Sequence, residues 1–402
     1  MVRPFAFLDD PHVQRIFGVL GAPDIDVRCV GGCVRDALAE REVHDIDIGT
    51  PEAPDAVIKR VEAAGHKAIP TGLAHGTVTA VVNGVSFEIT TLRRDTACDG
   101  RHAVVEFTHD WREDAGRRDF TFNAMSLRPD GQLFDFFGGS DDLKAGRVRF
   151  VGVPSDRIKE DYLRILRLFR FHAHFGQAEI DADTLTACAE LKGGLMALSA
   201  ERVTHELSKL MAATNPTPSL IAMQACGVLT VVLPEATQLN ALSDLIALED
   251  KLPLPRDWRR RLVAVLANID ARALAKRMRL SNHDADFLRA LLAEQPHLET
   301  TTALPALDLA LFRHGREIVL NRCLIAAARA PSPDWRPVIT RAAAWTPHPM
   351  PLTGDDLIAR GHQPGPALGT ALRAAEELWA ISGFSAGRDE LRACAENVIS
   401  KG

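Results

Sequence analysis

Two neighbouring stretches decide the fold: Val27-Arg28-Cys29-Val30-Gly31-Gly32-Cys33-Val34-Arg35-Asp36-Ala37-Leu38, and then His44-Asp45-Ile46-Asp47-Ile48. The first predicts a short strand over 27–30, a turn at Gly31-Gly32 and a helix over 33–40 that turns Val34, Ala37 and Leu38 inward. The second predicts another strand over 44–48. Two glycines between a strand and a helix let the backbone approach a phosphate closely, where helix N–H groups point outward.

Working outward, 76–82 and 85–90 alternate as strands and meet at Asn83-Gly84. Asn-Gly takes the positive φ angles of a type I′ turn, so this pair is expected to be antiparallel. Beyond about residue 155 the pattern changes: 157–175, 181–190 and 199–213 have helical periodicity, and strand signals almost vanish. Proline-rich breaks fall near 252–255, 330–337 and 347–351. The expectation is an α+β chain, with a mixed or antiparallel-sheet head over 1–150 followed by an all-α neck (151–225), body (226–340) and tail (341–402).

The same stretches carry chemistry. On a strand, Asp45 and Asp47 would share one face. Paired carboxylates on a rigid element suit Mg²⁺, a hard ion that takes oxygen ligands and bridges protein to phosphates. Glu88 stands in Ser86-Phe87-Glu88-Ile89-Thr90 opposite in facing to Phe87 and Ile89, and could complete a three-carboxylate cluster able to hold two ions. Two metals would divide the work of a nucleotidyl transfer, one lowering the pKa of an attacking hydroxyl and one neutralising a pyrophosphate.

Composition sets broad limits. Hydrophobic residues make up 46% and charged residues 25% of 402, the balance of a globular chain long enough for several packed units. The first fifteen residues include Arg3, Asp9, Asp10 and His12 and lack a signal peptide's apolar stretch; no apolar run approaches membrane-spanning length. Seven scattered cysteines without a CxxC pair read as reduced thiols, which with the missing leader points to the cytoplasm. A net charge of −6 weighs against nucleic acid only on average. Residues 256–279 hold Arg256, Arg259, Arg260, Arg261, Arg272, Lys276, Arg277 and Arg279 against Asp257 and Asp270, a basic stretch in which Arg259, Arg260 and Arg277 are candidate RNA contacts. The same run also fits a set of solvated helix faces. A single tyrosine and 23 aromatics in all favour contacts to an RNA backbone over base stacking.

Further motifs follow in order along the chain. After the first two stretches come Gly76-Thr77-Val78, Glu88-Ile89-Thr90-Thr91-Leu92-Arg93, and Arg117-Arg118-Asp119-Phe120-Thr121-Phe122-Asn123-Ala124-Met125. Next are Asp135-Phe136-Phe137-Gly138-Gly139 with Asp142-Leu143 and Arg147-Val148-Arg149. Then stand Glu160-Asp161-Tyr162-Leu163-Arg164 with Leu166-Arg167 and Arg170-Phe171, and Glu201-Arg202-Val203 with Glu206-Leu207. Together they resemble the class II CCA-adding enzyme and bacterial poly(A) polymerase family, within the polymerase β nucleotidyltransferase superfamily. One departure is Ala39-Glu40, where the family usually has Leu-Gly.

The resemblance implies an enzyme that adds C, C and A to the 3′ end of tRNA from CTP and ATP with two Mg²⁺ ions, releasing pyrophosphate. It implies metal ligation by Asp45, Asp47 and Glu88, and nucleotide binding by Gly31, Gly32, Arg35, Arg117, Arg118, Asp119, Asn123, Asp161, Arg164 and Arg167. Arg117 and Arg118 would offer fork-shaped donors to the triphosphate or the neck, and Asp119 would take the ribose hydroxyls. Asp36 could serve the phosphate side or simply end a helix. Residues 94–102 resemble the family's mobile loop. The tail from Pro351 to Leu357 and from Gly361 to Pro366 resembles a module that contacts the outer part of tRNA.

Hydrogen-bonding logic gives Asp161 and Arg164 a purpose. Cytosine and adenine each present an amino donor beside a ring-nitrogen acceptor, so a carboxylate and a guanidinium can read either edge. Uracil and guanine present the reverse, and each mispaired buried group costs about 1–3 kcal/mol. The resemblance assigns templating to this pair; three apart on one predicted helix, they equally suit an ordinary i,i+3 ion pair. Rival expectations are a poly(A) polymerase or an enzyme adding only A or only C, and a catalytically silent RNA-binding protein on the same scaffold. The absence of a strongly basic C-terminal extension favours CCA addition; the oligomeric state stays open, a monomer included. His283-Asp284 resembles a phosphohydrolase dipeptide but lacks companion ligands, and Asn282 before it is expected to cap a helix.

Overall fold

The computed structural model describes residues 5–98, 103–267 and 269–400. The N-terminal half opens with α1 (Pro11–Val19), started by Pro11 at its first turn and by Asp10, whose carboxylate accepts from His12 N at 2.7 Å. There follow β1 (Arg28–Val30), α2 (Gly32–Leu38), β2 (Asp47–Thr50), α3 (Pro54–Ala63), β3 (Lys67–Gly72), β4 (Thr77–Val82) and β5 (Val85–Thr91). A mixed seven-stranded sheet runs β3-β4-β5-β2-β1, continued by β8 (Ser126–Leu127) and β9 (Leu133–Phe134). Only β2 and β5 are parallel. Val78, Ala80 and Val82 of β4 and Phe87 and Ile89 of β5 form one buried face, on which Val57 and Val61 of α3 are also buried. The Asn83-Gly84 turn has φ of 50° and 86° and joins an antiparallel pair, as its sequence requires.

Three expectations shift here. The strand expected over 44–48 begins only at Asp47, because β1 offers partners at Ile48 and Gly49 and β5 at Asp47 onward; Asp45 has no ladder partner. Residues 94–102 are not simply a loop: β6 (Arg93–Cys98) and β7 (Ala103–Phe107) pair antiparallel, and residues 99–102 lie outside the described residues. The single helix expected over 157–175 is two, α6 (Pro154–Glu160) and α7 (Leu163–Phe175). Between them Asp161 is extended (φ −155°, ψ 108°), and its carboxylate accepts from Leu163 N at 3.0 Å. A short acid chain that bonds the backbone ahead of it competes with the helix ladder and restarts the helix.

Between sheet and neck lie α4 (Trp111–Gly116) and α5 (Gly139–Lys144). Gly139 is needed for closeness: a Cβ there would lie 2.2 Å from Thr121 O. Phe120 and Phe122 reach across to Phe171 of α7 with centroids 5.3 and 5.4 Å apart, edge to face, which welds segment 117–123 to the neck. The neck continues through α8 (Ala182–Leu191), α9 (Ala200–Met211), α10 (Thr217–Ala225) and α11 (Val228–Val232). The chain divides into two compact units, Met1–Leu233 and Pro234–Gly402.

The second unit is helical: α12 (Leu239–Lys251), α13 (Trp258–Val265), α14 (Ala271–Arg277), α15 (Asn282–Leu292) and α16 (Leu304–Arg329), the last interrupted at Gly315. After them come α17 (Trp335–Ala344), α18 (Gly354–Ile358), α19 (Pro366–Ile381) and α20 (Arg388–Ile399), whose Leu357, Leu368, Trp379 and Leu391 make a small core. Ser281, not Asn282, caps α15, accepting from Asp284 N at 3.1 Å. Thr353 and Asp356 form a capping box on α18.

Within the basic stretch Arg260 and Arg261 are buried and Arg259 is half-buried, whereas Arg256, Arg272, Lys276, Arg277 and Arg279 are exposed, so of the candidate RNA contacts it is Arg260 that is turned inward. Arg260 is 5% exposed and donates to Glu249 Oε1 (2.8 Å), Asn321 Oδ1 (2.8 Å) and Pro255 O (2.7 Å). Arg261 shares Glu249 from the other side at 2.7 Å. Arg259 is bound to Asp257 at 2.8 Å and lies over the Phe287 ring, while Arg277 pairs with Glu235 at 2.7 Å. Buried cations that satisfy a buried carboxylate hold helices together. Among the described residues no helix is long and apolar enough to cross a membrane.

Candidate active site

A cleft of about 660 Å³ opens in the first unit between the β1–α2 turn, the approach to β2, segment 117–123 and helices α7 and α9. Its walls carry eight cations (Arg35, Arg117, Arg118, Arg164, Arg167, Arg170, Arg202, Lys209) against five carboxylates (Asp36, Asp45, Asp47, Asp119, Asp161). Such a surplus, enclosed by protein, favours a polyanion.

The turn comes first. Gly31 sits at φ 72° and ψ −118°, which a side chain would strain, and a Cβ there would lie 2.8 Å from Arg118 Nη1. Gly31 N donates to Met125 O at 3.2 Å, tying the turn to segment 117–125.

The arginines are held by carboxylates behind them. Asp114, 3% exposed in the first turn of α4, takes Arg117 Nη2 at 2.8 Å and Arg118 Nη2 at 3.2 Å. Burial alone would raise its pKa, but Arg118, Arg117 and the hydrogen bonds hold it below the usual aspartate value. Arg35 is clasped by Asp36 (2.9 and 2.8 Å) and donates to Asn123 Oδ1 at 2.7 Å. Asn123 Nδ2 donates to Asp119 Oδ1 at 2.9 Å, and Asp119 Oδ2 accepts from Arg167 Nε at 2.6 Å. Asp119 also accepts from Phe120 N at 2.8 Å; burial pulls its pKa up, yet Arg167 and these donors bring it below normal. Glu206 of α9, 4% exposed, ends the chain against Arg170 at 2.9 Å and Arg167 at 4.0 Å. Burial brings Arg170 down to about 10 despite Glu206, leaving it still cationic near neutrality. The whole forms a connected polar network in which every charge has a partner, so the donor tips stay fixed in place.

Across the cleft stands the acidic side. Asp45 and Asp47 both line it, although only Asp47 is on the strand. Glu88 is the register partner of Asp47 on β5 and lies outside the lining. Asp47 is exposed to the cleft, yet desolvation by the protein around it, with Glu88 and Asp45 adding repulsion against the pull of Arg118, pushes its pKa up, a strain that a cation would relieve. Among the described residues no group of three His, Cys, Asp or Glu is close enough to hold an ion, so the three-carboxylate expectation rests on register.

Asp161 and Arg164 do not pair with one another. Arg202 Nη2 donates to Asp161 Oδ2 at 2.7 Å, whereas Arg164 bonds Glu160, Arg157 O (3.0 Å) and Arg117 O (3.1 Å). The ordinary i,i+3 ion pair is thus ruled out, and Arg164 bridges the neck to the Arg117 segment.

Of the residues singled out in the sequence, Gly31, Gly32, Arg35, Arg117, Arg118, Asp119, Asn123, Asp161, Arg164, Arg167, Asp45 and Asp47 all line this one cleft. Sequence reasoning passed over Asp114 and Lys209, and named Arg170, Arg202 and Glu206 only within motifs, without a role. A signal existed for the α9 trio: 202, 206 and 209 recur on one helix face. Asp114 had another, standing three and four residues before Arg117 and Arg118.

Comparison with known proteins gives the same picture. The profile described as "Poly A polymerase head domain" matches residues 27–149, and that described as "Probable RNA and SrmB- binding site of polymerase A" matches 179–239. The chain is 33% identical over 404 residues to the mouse (Mus musculus) mitochondrial CCA tRNA nucleotidyltransferase 1, covering 96% of this chain and 91% of that protein. With the CCA-adding enzyme of Latilactobacillus sakei it shares 34% over 356 residues, 85% and 87% of the two. The Bacillus stearothermophilus CCA-adding enzyme, solved in complex with CTP, superposes with a TM-score of 0.77 at 26% identity, covering 100% of this chain and 99% of that one. A basic cleft with an acidic edge, matched motifs and similarity along nearly the full length converge: the chain belongs to the CCA tRNA nucleotidyltransferase family.

Proposed function

We propose that the cleft adds C, C and A to the 3′ end of tRNA from CTP and ATP, by in-line attack of the 3′-hydroxyl on the α-phosphorus with release of pyrophosphate. The observation that carries this is the joining, in one cleft, of fixed arginine tips with the Asp45/Asp47 edge and the Asp161/Arg164 pair. The names of the relatives, and the CTP bound to the Bacillus stearothermophilus enzyme, support the same choice of substrates.

Arg117 and Arg118, splayed by Asp114, are placed to take phosphate oxygens, with Arg35 beside the Gly31-Gly32 turn. Asp45 and Asp47 would hold Mg²⁺, with Glu88, the register partner of Asp47, as the third carboxylate of the expected set. When bound, Mg²⁺ supplies neutralisation of phosphate charge and a lowered hydroxyl pKa. Asp161 accepts from the amino group of cytosine or adenine and Arg164 donates to the neighbouring ring nitrogen. Asp119, bound by Asn123 and Arg167, holds this floor rigid and offers its acceptors to ribose hydroxyls only in competition with them. The head and neck are assigned to catalysis and base choice, and the second unit to the body of the tRNA. Among the described residues the six cysteines of known placement are free thiols, which fits a cytoplasmic place of action.

The test offers each of the four nucleoside triphosphates singly, with Mg²⁺, to tRNA lacking its CCA end. Incorporation from CTP with equimolar pyrophosphate, and none from UTP or GTP, is the expected result. A poly(A) polymerase would extend with ATP alone on unrelated RNA, and a silent binding protein would extend with none.

A further inference from the structure

The carboxylate of Asp161 is held at both oxygens. Oδ1 accepts from Leu163 N at 3.0 Å, and Oδ2 from Arg202 Nη2 at 2.7 Å. Arg202 stands 41 residues further along the chain, in the first turn of α9, and is itself part of the cleft wall. Its helix face continues through Glu206, which fixes Arg170, to Lys209 at the cleft wall. The α9 face is therefore turned toward the site along its length.

An aspartate has two side-chain torsions, and a single bond to Leu163 N leaves its second oxygen able to swing. A group that discriminates by hydrogen-bond direction loses its selectivity when it can rotate or recruit water. Arg202 removes that freedom by anchoring the far oxygen. A carboxylate offers about four acceptor directions. The two anchors occupy one on each oxygen, so an amino donor can share Oδ2 with Arg202. A base that presents a carbonyl there meets an acceptor, and the Arg202 N–H beside it is already engaged.

We propose that Arg202 is a positioning residue for base choice: by holding Asp161 it sets the preference for C and A over U and G. This rests on Asp161 being a base-reading group, as argued under Proposed function. A purely structural role for Arg202, tying α9 to the break between α6 and α7, would slow all four nucleotides by one factor and leave their ratio unchanged.

The experiment measures kcat and KM for CTP and UTP on tRNA lacking CCA, for the wild type, Arg202→Ala, Arg202→Gln, Arg202→Lys and Asp161→Ala. Arg202→Ala is expected to lower the CTP-over-UTP ratio of kcat/KM by about tenfold, mainly through a raised KM for CTP. Arg202→Lys, which keeps a cation on the same helix face, is expected to recover part of that ratio. Arg202→Gln keeps one N–H donor and serves as the readout should the alanine variant fold poorly. If Asp161→Ala relaxes the ratio while Arg202→Ala and Arg202→Gln both keep it within about twofold of wild type, the positioning role is wrong and base reading by Asp161 stands. If Asp161→Ala also leaves the ratio intact, base reading itself fails and takes this inference with it. A ratio lowered in the Arg202 variants and no lower still in Asp161→Ala/Arg202→Ala than in Asp161→Ala alone establishes that Arg202 acts through Asp161.

Discussion

At the scale of single residues, each arginine of the site is fixed by a neighbouring carboxylate. Asp45→Ala or Asp47→Ala removes an anion from the acidic edge without touching the arginine wall. Transfer is expected to fall at least about a thousandfold, ~4 kcal/mol of transition-state stabilisation, while tRNA affinity in a filter-binding assay stays near wild type. Asp114 differs, since it is buried and serves two arginines. Replacing it with asparagine leaves both cations without their counter-charge and is expected to cost about 3 kcal/mol in urea unfolding near neutrality. The folded pKa of Asp114 lies below the ordinary 3.8, so its contribution is complete above that value and is lost as pH falls through the lower, folded one. The gap between wild type and Asp114→Asn should therefore be flat above about pH 5 and narrow under stronger acid. A gap that widened on acidification would contradict the assignment of sign.

At the scale of elements, most of the head was legible and the junctions were not. Alternation in β4 and β5, the Asn83-Gly84 hairpin and the Gly31-Gly32 turn are local matters, decided by side chains a few residues apart. The late start of β2 depends on partners distant in sequence, β1 and β5, and the break at Asp161 joins a local bond from Leu163 N to a distant one from Arg202. Periodicity cannot see these. The site residues were legible because their motifs are compact, whereas Asp114, Arg170, Arg202 and Glu206 act through contacts that spacing alone leaves unassigned. Two glycines test the element geometry. Gly31→Ala would hold an unfavourable φ at a cost of about 1–2 kcal/mol and push against Arg118, so nucleotide affinity should fall along with stability. Gly139→Ala would place its Cβ 2.2 Å from Thr121 O, where backbone must move, and is expected to cost the larger amount in thermal unfolding. Equal and small losses at both positions would argue against the packing of α5 on segment 121–123.

At the scale of the whole molecule, a chain of net charge −6 gathers eight cations around one cleft and buries Arg260 and Arg261 of a second basic stretch. Local field and not net charge decides what such a protein attracts. The arginines of residues 256–261 show why a charge run is not one surface: Arg260 and Arg261 are buried around Glu249, while Arg256 is exposed. Arg260→Ala is accordingly expected to lower the stability of the second unit by about 3 kcal/mol and to leave the salt dependence of tRNA binding unchanged. A shallower salt slope with unchanged stability would return Arg260 to the RNA surface.

The central claim is that one cleft selects C and A and stops. The direct measurement supplies CTP and ATP together, with Mg²⁺, to tRNA lacking its CCA end and sizes the products over time. Addition of C, C and A in that order, followed by arrest with both nucleotides still present, is the expected result. A lengthening ladder of A, or extension that halts before the terminal A, would contradict it.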